Sequence, residues 1–351
     1  MLLQSIAMKL PGRAGYTLPA EWAPHRATWI AWPHERSDWP GRFAPIPWVY
    51  AEIVRVLSPH ERVSILVEHR DAERKARRLL ERVGVDLGRV HFHRVPTDRG
   101  WTRDTCAIIV SNPSGRRLAT RWKFNGWAKY PNHRRDDRVA GRMARALGLA
   151  EHRVVANGRD VVMEGGAIDV DGEGTLLATE ECLLSPDVQP RNPHLDRKGL
   201  EQIFAEVLGI TRVVWLGRGI AGDDTHGHVD DLARFVAPGR VLLCREGNPA
   251  DENHAPLEEN RARLVAAGVE VIALPMPAPV VFEGRRLPAS YANFYIANGT
   301  VIVPTFNDPK DRVALGIIAE CFPGRDVVGI HAVDLVWGLW TLHCATMQEP
   351  A

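Results

Sequence analysis

A recurring order of predicted elements, hairpin then helix then strand, constrains this chain more than any other feature. Residues 231–274 and 291–330 both follow it, and the second hairpin turns at Asn298-Gly299, a dipeptide typical of type I′ turns. Residues 106–155 follow the same order with little sequence identity. Such ββαβ units can stack around an axis, with their loops facing a shared centre. The pattern therefore predicts an α/β protein with a repeated module.

Length and charge limit the domain organisation and the partners. The 351 residues contain no Pro/Ser-rich linker and no low-complexity tract. We therefore expect one domain over residues 1–351, with residues 1–15 as a disordered N-terminal tail. The formal net charge of +1 gives no reason to expect a nucleic acid or an anionic membrane as partner. No apolar run reaches ~18 residues, so no membrane span is expected.

The cysteines indicate a redox compartment. Cys106, Cys182, Cys244, Cys321 and Cys344 form no CxxC pair. The N-terminus lacks the basic stretch that precedes the apolar part of a secretory signal. An odd number of cysteines without such a signal is typical of the reducing cytoplasm, where we expect the protein to act.

Four polar residues, far apart in the sequence, are candidates for one cysteine-hydrolase site. Cys344 lies close to the C-terminus, His228 and Asp230 share one short segment, and Asp104 follows Trp101 by three positions. A nucleophile and its base need to be adjacent only in space, so the fold decides whether these side chains meet.

The histidine-containing segment also permits a second interpretation. His226, His228 and Asp230 have the HxHxD spacing of metal ligands in zinc hydrolases. A binuclear metal site needs a second histidine motif, but His254 and His331 are isolated. The residues therefore favour a thiol enzyme, with a metal-dependent hydrolase as the alternative.

Motifs along nearly the whole chain add a family resemblance. They are PAEWAPH (19–25), WPH (32–34), WxRDT (101–105), FNxW (124–127), EGGAI (164–168), DGEGT (171–175), GHVD (227–230), NFYI (293–296), VPTF (303–306), DPKD (308–311) and HC (343–344). In this order they resemble the agmatine deiminase and bacterial peptidylarginine deiminase family. The resemblance implies the pentein fold, a five-bladed, pseudo-symmetric α/β propeller of ββαβ modules.

The same resemblance implies a chemistry and a role for each candidate residue. It implies cysteine-dependent hydrolysis of a small guanidino compound, without a metal or a cofactor, and often in a homodimer. Asp104 and Asp230 hold the planar guanidinium by charge-assisted hydrogen bonds. Cys344 attacks its central carbon and forms a covalent thiouronium intermediate, while His228 protonates the leaving amine and then activates water. The residues expected to contact the substrate are Glu164, Trp101 and Trp340.

One departure from the family concerns the substrate. The family's end motif is typically GGGNIHC, and here residues 338–344 read GLWTLHC. Leu339 and Trp340 therefore reshape the pocket wall, and Thr341 replaces an asparagine. We expect agmatine as substrate, with N-carbamoylputrescine and ammonia as products, because no cationic partner for the carboxylate of free arginine is recognisable. Arginine and peptidylarginine are alternative substrates, and an amidinotransferase or a catalytically silent guanidine-binding pentein are alternative functions.

Overall fold

The repeated module predicted from the sequence is present in the structure. A computed structural model describes residues 10–351 of the chain. Within this range, five sheets each combine an antiparallel strand pair with one parallel strand, or with two in the sheet that contains β1, and two further sheets are two-stranded hairpins. Parallel neighbours need a crossover connection, and helices supply it here. The predicted mixed α/β fold is confirmed.

The elements of the described residues are as follows in chain order. The strands are β1 (His25–Ala31), β2 (Arg62–Val67), β3 (Val90–Arg94), β4 (Ile108–Ser111), β5 (Arg117–Arg121), β6 (Glu151–Arg153), β7 (Val155–Ala156), β8 (Arg159–Asp160), β9 (Ile168–Val170), β10 (Thr175–Thr179), β11 (Arg212–Leu216), β12 (Ala233–Ala237), β13 (Arg240–Arg245), β14 (Glu270–Pro275), β15 (Val281–Phe282), β16 (Arg285–Arg286), β17 (Tyr295–Ile296), β18 (Thr300–Thr305), β19 (Asp326–His331) and β20 (Met347–Pro350). The α-helices are α1 (Ile46–Leu57), α2 (Arg70–Arg82), α3 (Thr102–Thr105), α4 (Val139–Ala146), α5 (Glu180–Leu183), α6 (Arg197–Leu208), α7 (His254–Ala266) and α8 (Lys310–Cys321). The main sheets have the orders β20-β1-β2-β3, β4-β5-β6, β9-β10-β11, β12-β13-β14 and β17-β18-β19.

All three predicted repeat units form one sheet each. Residues 231–274 form β12, β13, α7 and β14, and residues 106–155 contain β4, β5, α4 and β6. In residues 291–330 the first strand, β17, is shorter than expected and covers only Tyr295–Ile296. Just before this strand, the backbone carbonyl of Asn293 accepts from the N–H of His343 at 3.1 Å.

The apolar faces of the helices form the core against the sheets. In α1, buried Ile46, Tyr50, Ile53, Val54 and Leu57 recur at helical spacing. Among residues 10–351, none of the helices combines the length and the apolar character needed to cross a bilayer.

The two ends of the chain meet in the first sheet. Strand β20 pairs antiparallel with β1, with Met347 opposite Trp29, and the indole Nε1 of Trp29 donates to Glu349 Oε2 at 3.0 Å. This pairing fixes the segment just before β20, which contains Cys344. Residues 1–9 of the predicted tail lie outside the described residues, and Gly12–Ala14 form a 3-10 turn against α6.

A single buried carboxylate, that of Glu21, joins four distant parts of the chain. Its Oε1 accepts from Arg234 Nη2 at 2.8 Å and from the N–H of Ile296 at 2.9 Å. Its Oε2 accepts from Arg103 Nη2 at 2.9 Å and lies 2.7 Å from His343 Nε2. Burial alone raises the pKa of Glu21, but Arg234, His343 and Arg103 hold it well below its ordinary value. Glu21 is therefore a charged centre that ties β12, β17, α3 and the segment before β20 together.

We predict that Glu21→Gln lowers the free energy of unfolding by about 3–5 kcal/mol, because the isosteric amide leaves buried cations without their counter-charge. The measurement is urea unfolding followed by fluorescence. Glu52→Gln is the matched control, since Glu52 pairs with Arg55 on the surface of α1 and such pairs contribute about 0.2–0.5 kcal/mol. Equal unfolding midpoints for the two variants would contradict the role given to Glu21.

Candidate active site

Turns at the ends of the modules carry the predicted catalytic side chains. Asp104 lies on α3, His228 and Asp230 lie at the 3-10 turn before β12, and Cys344 precedes β20. Gly166 lies at their centre. A Cβ atom built on Gly166 would be 2.6 Å from His228 Nδ1, 3.0 Å from Asp230 Oδ2 and 3.1 Å from Asp104 Oδ1. The fold therefore brings these residues into one buried site.

The Cys344 thiol lies among carboxylates. Its side chain is buried, and its Sγ donates to Asp230 Oδ2 at 3.6 Å. The amide Nδ2 of Asn293 lies 3.1 Å from the sulfur. Burial raises the pKa of the Cys344 thiol well above its ordinary value, and the charges of Asp230, Asp231 and Asp104 raise it further. In the free protein Cys344 is thus held as the thiol, and its ionisation requires a nearby positive charge or N–H donors.

His228 is a buried cation between two carboxyl groups. Its Nδ1 lies 4.0 Å from Asp104 Oδ1, and its Nε2 lies 3.8 Å from Glu164 Oε2. Burial acts to lower the pKa of His228, but Asp104, Cys182 and Glu164 together raise it well above its ordinary value. Neither ring nitrogen has a hydrogen-bond partner among the described residues. Both N–H groups of the imidazolium are therefore available to a ligand.

The two carboxyl groups beside His228 have opposite shifts. Burial raises the pKa of Asp104 to about 6, although His228 opposes the change. Its Oδ2 accepts from Trp127 Nε1 at 2.8 Å and its Oδ1 from the N–H of Gly166 at 3.1 Å. Burial would also raise the pKa of Glu164, but Arg191, at 3.0 Å, and His228 lower it to about 2. Glu164 stays charged across the physiological range, whereas Asp104 is charged only above about pH 6.

Asp230 is oriented by His343, the neighbour of the thiol in the sequence. His343 Nδ1 lies 2.6 Å from Asp230 Oδ2, and Nε2 lies 2.7 Å from Glu21 Oε2. Burial raises the pKa of Asp230, but hydrogen bonding and charge from His343 bring it below its ordinary value. Asp230 is therefore a charged carboxylate next to Cys344.

Tryptophans form one wall of the site. Trp340 stacks on Trp127 with 4.7 Å between ring centroids, and it packs edge-to-face with Trp101 with 4.6 Å between centroids. Leu339 has φ +74°, a left-handed conformation that glycine adopts without strain. The two residues that replace the family's glycines thus differ in effect: Leu339 strains the backbone, and Trp340 fills space beside Trp101.

The alternative metal site does not assemble from the HxHxD segment. His226, with φ +67°, turns toward Glu181, and its Nδ1 lies 3.8 Å from Glu181 Oε1. His228 faces Asp104 instead, and Asp230 bonds to His343. Among residues 10–351, the groups with metal-ligand geometry are Glu164–Cys182–His228 and Asp230–Asp231–Cys344, and neither includes His226.

Comparison with known proteins places this site in a family. The family model for Porphyromonas-type peptidyl-arginine deiminase matches residues 17–350, nearly the whole chain. The chain belongs to this deiminase family. Agmatine deiminases of Stutzerimonas stutzeri and Ectopseudomonas mendocina are 35% and 34% identical to it, over 97% of this chain and 97% of theirs. The solved structure of agmatine deiminase of Enterococcus faecalis has a TM-score of 0.89 at 29% identity and covers 98% of both chains.

Several residues of this deiminase site had no role predicted from the sequence. They are Glu21, Trp127, Cys182, Arg191, Asn293 and His343. Four of them lie inside the motifs that carry the family resemblance, so the signal was present without a chemical assignment. Cys182 and Arg191 lie in no such motif, and only the fold brings them to His228 and Glu164.

We predict that Gly166→Ala lowers deiminase turnover by about 10²-fold or more, because a methyl group there displaces three reactive side chains. The measurement is ammonia release from a guanidino substrate. Gly316→Ala is the control, since a Cβ at Gly316 in α8 meets no atom within 4 Å. If Gly166→Ala retained full activity, the site would not have the close geometry described.

Proposed function

We propose that this deiminase hydrolyses the guanidinium group of agmatine, giving N-carbamoylputrescine and ammonia, with Cys344 as the nucleophile. The observation that carries the proposal is the Cys344 thiol beside Asp230, with Asp104 and His228 around the same glycine. The names of the two relatives at 35% and 34% identity support agmatine as substrate.

Carboxylates bind the substrate and orient it. Asp104 and Asp230 accept hydrogen bonds from the N–H edges of the guanidinium, and Glu164 adds negative charge near His228. This grip presents the central carbon to Cys344 Sγ. Because the pKa of Asp104 is about 6, substrate binding weakens as the pH falls below that value.

The bound cation activates the thiol. Burial and three carboxyl groups disfavour the Cys344 thiolate in the free protein. A guanidinium between Asp104 and Asp230 supplies positive charge next to the sulfur and offsets this effect. Cys344 therefore loses its proton to solvent when substrate is bound, and the enzyme is reactive mainly toward cations of the right shape.

The reaction proceeds in two attacks. The thiolate forms an S–C bond to the guanidinium carbon, His228 gives a proton to one nitrogen, and the C–N bond breaks to release ammonia. The S-alkylthiouronium that remains is attacked by water, and neutral His228 takes one water proton. The C–S bond then breaks, the thiolate leaves, and the remaining hydroxyl proton is lost to give the ureido product.

The surroundings of the site favour a small substrate without a carboxylate. Two buried arginines nearby are already paired with carboxylates, since Arg103 donates to Glu21 and Arg191 donates to Glu164. Neither of these two arginines would be available to the carboxylate of free arginine. Trp101 and Trp340 line the wall beside Cys344, where they pack along an aliphatic stem. The buried position of Cys344 also disfavours an arginine within a folded protein.

Architecture, assembly and location complete the proposal. The five modules are arranged around one axis as a five-bladed propeller. An antiparallel pair followed by a parallel strand in each main sheet, and the contacts that converge on Glu21, support this arrangement. The enzyme acts as a homodimer in the cytoplasm on its small substrate alone. All five cysteines are free in the structure, which suits a reducing compartment.

The test of the function is a substrate panel. Ammonia and ureido product are measured for agmatine, arginine, guanidinobutyrate and a blocked arginine peptide, with and without a chelator. We expect kcat/KM for agmatine to exceed the others by about 10²-fold or more, because a desolvated carboxylate without a partner is costly. Preference for the peptide, or loss of activity with the chelator, would overturn the proposal.

We predict that Cys344→Ser lowers kcat by about 10³-fold or more while its unfolding midpoint stays near that of the wild type, because serine has no comparable anionic form at neutral pH. Cys321→Ser, at a half-buried position on α8, is the control and keeps full activity. An active Cys344→Ser together with an inactive Cys182→Ser would assign the nucleophile to Cys182.

A further inference from the structure

A second thiol, that of Cys182, lies beside His228, and the reaction described above does not use it. Cys182 is completely buried on the short helix α5, which follows β10. The thiol of Cys182, the imidazole of His228 and the carboxylate of Glu164 each offer one atom to a metal ion, and these atoms all lie within 4.8 Å of one another. We call these three residues the Cys182 cluster. Each of them comes from a separate turn of the fold.

Hydrogen bonds fix the position of Cys182 relative to His228. The hydroxyl oxygen of Thr179 accepts from the backbone N–H of Cys182 at 3.1 Å, as the side chain of a helix N-cap does. The same hydroxyl donates to the carbonyl of Gly227 at 2.5 Å, and Gly227 directly precedes His228. The turn that carries the thiol is therefore attached to the turn that carries the imidazole, and the cluster is assembled before any ligand binds.

Two atoms of the cluster are buried without a hydrogen-bond partner. They are Glu164 Oε2 and His228 Nε2, which lie 3.8 Å apart, and neither has a partner within residues 10–351. Arg191 donates to the other oxygen of Glu164, Oε1, at 3.0 Å. Because a buried polar atom without a partner costs free energy, a ligand that binds both atoms at once is favoured.

The atom types and the separations match a tetrahedral zinc ion. Zinc binds thiolate sulfur at ~2.3 Å, histidine nitrogen at ~2.0–2.1 Å and carboxylate oxygen at ~2.0–2.2 Å, which places pairs of ligand atoms about 3.3–3.7 Å apart. The 3.8 Å between Glu164 and His228, and separations of no more than 4.8 Å within the cluster, reach this range by small rotations of the side chains. Three protein ligands leave the fourth position of the ion to water.

We propose that Glu164, Cys182 and His228 form an inhibitory zinc site. The inference rests on the proposed function, because the inhibition follows from the role given there to His228. Zn²⁺ takes the place of the protons on His228 Nε2 and on the Cys182 thiol, and both protons pass to solvent. A coordinated His228 can neither protonate the leaving amine nor activate water, so deimination stops while the ion is bound.

A second group of possible ligands lies in the same site. Asp230, Asp231 and Cys344 also have ligand atoms within 4.8 Å of one another. This group offers one sulfur and two oxygens but no imidazole, and Asp230 Oδ2 already lies 2.6 Å from His343 Nδ1. Thiolate and imidazole are the ligands that suit zinc, whereas carboxylates suit magnesium and calcium, so the Cys182 cluster is the better zinc site. The other group is a competing outcome of the experiment.

The experiment titrates metal-free enzyme with Co²⁺ and records its absorption spectrum. Co²⁺ replaces Zn²⁺ as a spectroscopic probe, because a thiolate ligand gives it a charge-transfer band in the near ultraviolet. We expect this band in the wild type, in Cys344→Ser and in the control Cys321→Ser, which changes the half-buried cysteine on α8. In Cys182→Ser we expect the band to be lost.

Sensitivity of ammonia release to Zn²⁺ is the second measurement. The rate of each variant is compared with its own metal-free rate, so that a change in basal activity does not enter the comparison. We expect zinc to inhibit the wild type and Cys321→Ser at equal concentrations, and a chelator to restore both rates. Half-inhibition of Cys182→Ser should require about 10²-fold more zinc or more, because loss of an outer partner of a metal ligand already costs about 10–100-fold in affinity.

The results that would contradict the inference are equally specific. A thiolate band that persists in Cys182→Ser, or one that is absent from the wild type, would overturn it. A band that disappears in Cys344→Ser would also overturn it and would assign the ion to Asp230, Asp231 and Cys344. A wild type that binds Co²⁺ through a thiolate but keeps its full rate with Zn²⁺ would refute the inhibitory role.

The experiment remains decisive if Cys182→Ser does not fold. The double variant Cys321→Ser/Cys344→Ser then replaces it: a thiolate band in this variant supports the Cys182 cluster, and no band overturns it. Failure of the proposed function would look different, since metal-free wild-type enzyme would then release no ammonia from agmatine, whatever its metal binding.

Discussion

The carboxylate of Glu21 is the interaction on which the rest of the structure depends. It is buried, yet charged, because Arg234, Arg103 and His343 surround it. Each of these three residues comes from a different part of the chain. Separating the modules would therefore leave a buried charge without its partner or expose it to water. His343 connects this constraint to the site, since its other nitrogen lies 2.6 Å from Asp230 and the next residue is Cys344, the proposed nucleophile. Two hydrogen bonds, both made by His343, therefore connect Glu21 to Asp230 in the candidate site.

The site as a whole has an excess of negative charge, which a cationic substrate would neutralise. Burial first, and then the neighbouring charge of Asp230, raise the pKa of Asp231 well above its ordinary value. Asp230 and Glu164 remain charged because His343 and Arg191 lie against them. The carboxyl groups of Asp230, Asp231 and Asp104 raise the pKa of the Cys344 thiol, and in the proposed mechanism a bound guanidinium offsets this effect. In the proposed mechanism, selection of the substrate and activation of the thiol therefore have one physical cause, the positive charge of the guanidinium. A neutral ligand of the same shape would neither be selected nor activate the thiol.

The sequence predicts the modules well, but it does not predict the hydrogen bonds and ion pairs that connect them. Hairpin and helix signals are local, so residues 231–274 form the elements expected. The HxHxD pattern was ambiguous because spacing does not show where each side chain points. The left-handed backbone at His226 turns its ring toward Glu181, away from Asp230. The bond from Asn293 to the thiol joins residues on separate modules, and no local pattern encodes it. The sequence supplied the four candidates for the site and the resemblance gave them roles, whereas the shifts of their pKa values follow only from burial and neighbours.

The central claim is that Cys344 carries the amidino carbon of the substrate between the two attacks. Mass spectrometry of peptides from the wild-type enzyme, quenched in acid during its first turnovers of agmatine, tests this most directly. The account predicts an adduct on the Cys344 peptide with the mass of agmatine less ammonia, and none on the peptides of the other cysteines. Ammonia release with Cys344 unmodified, or with the adduct on Cys182, would contradict it.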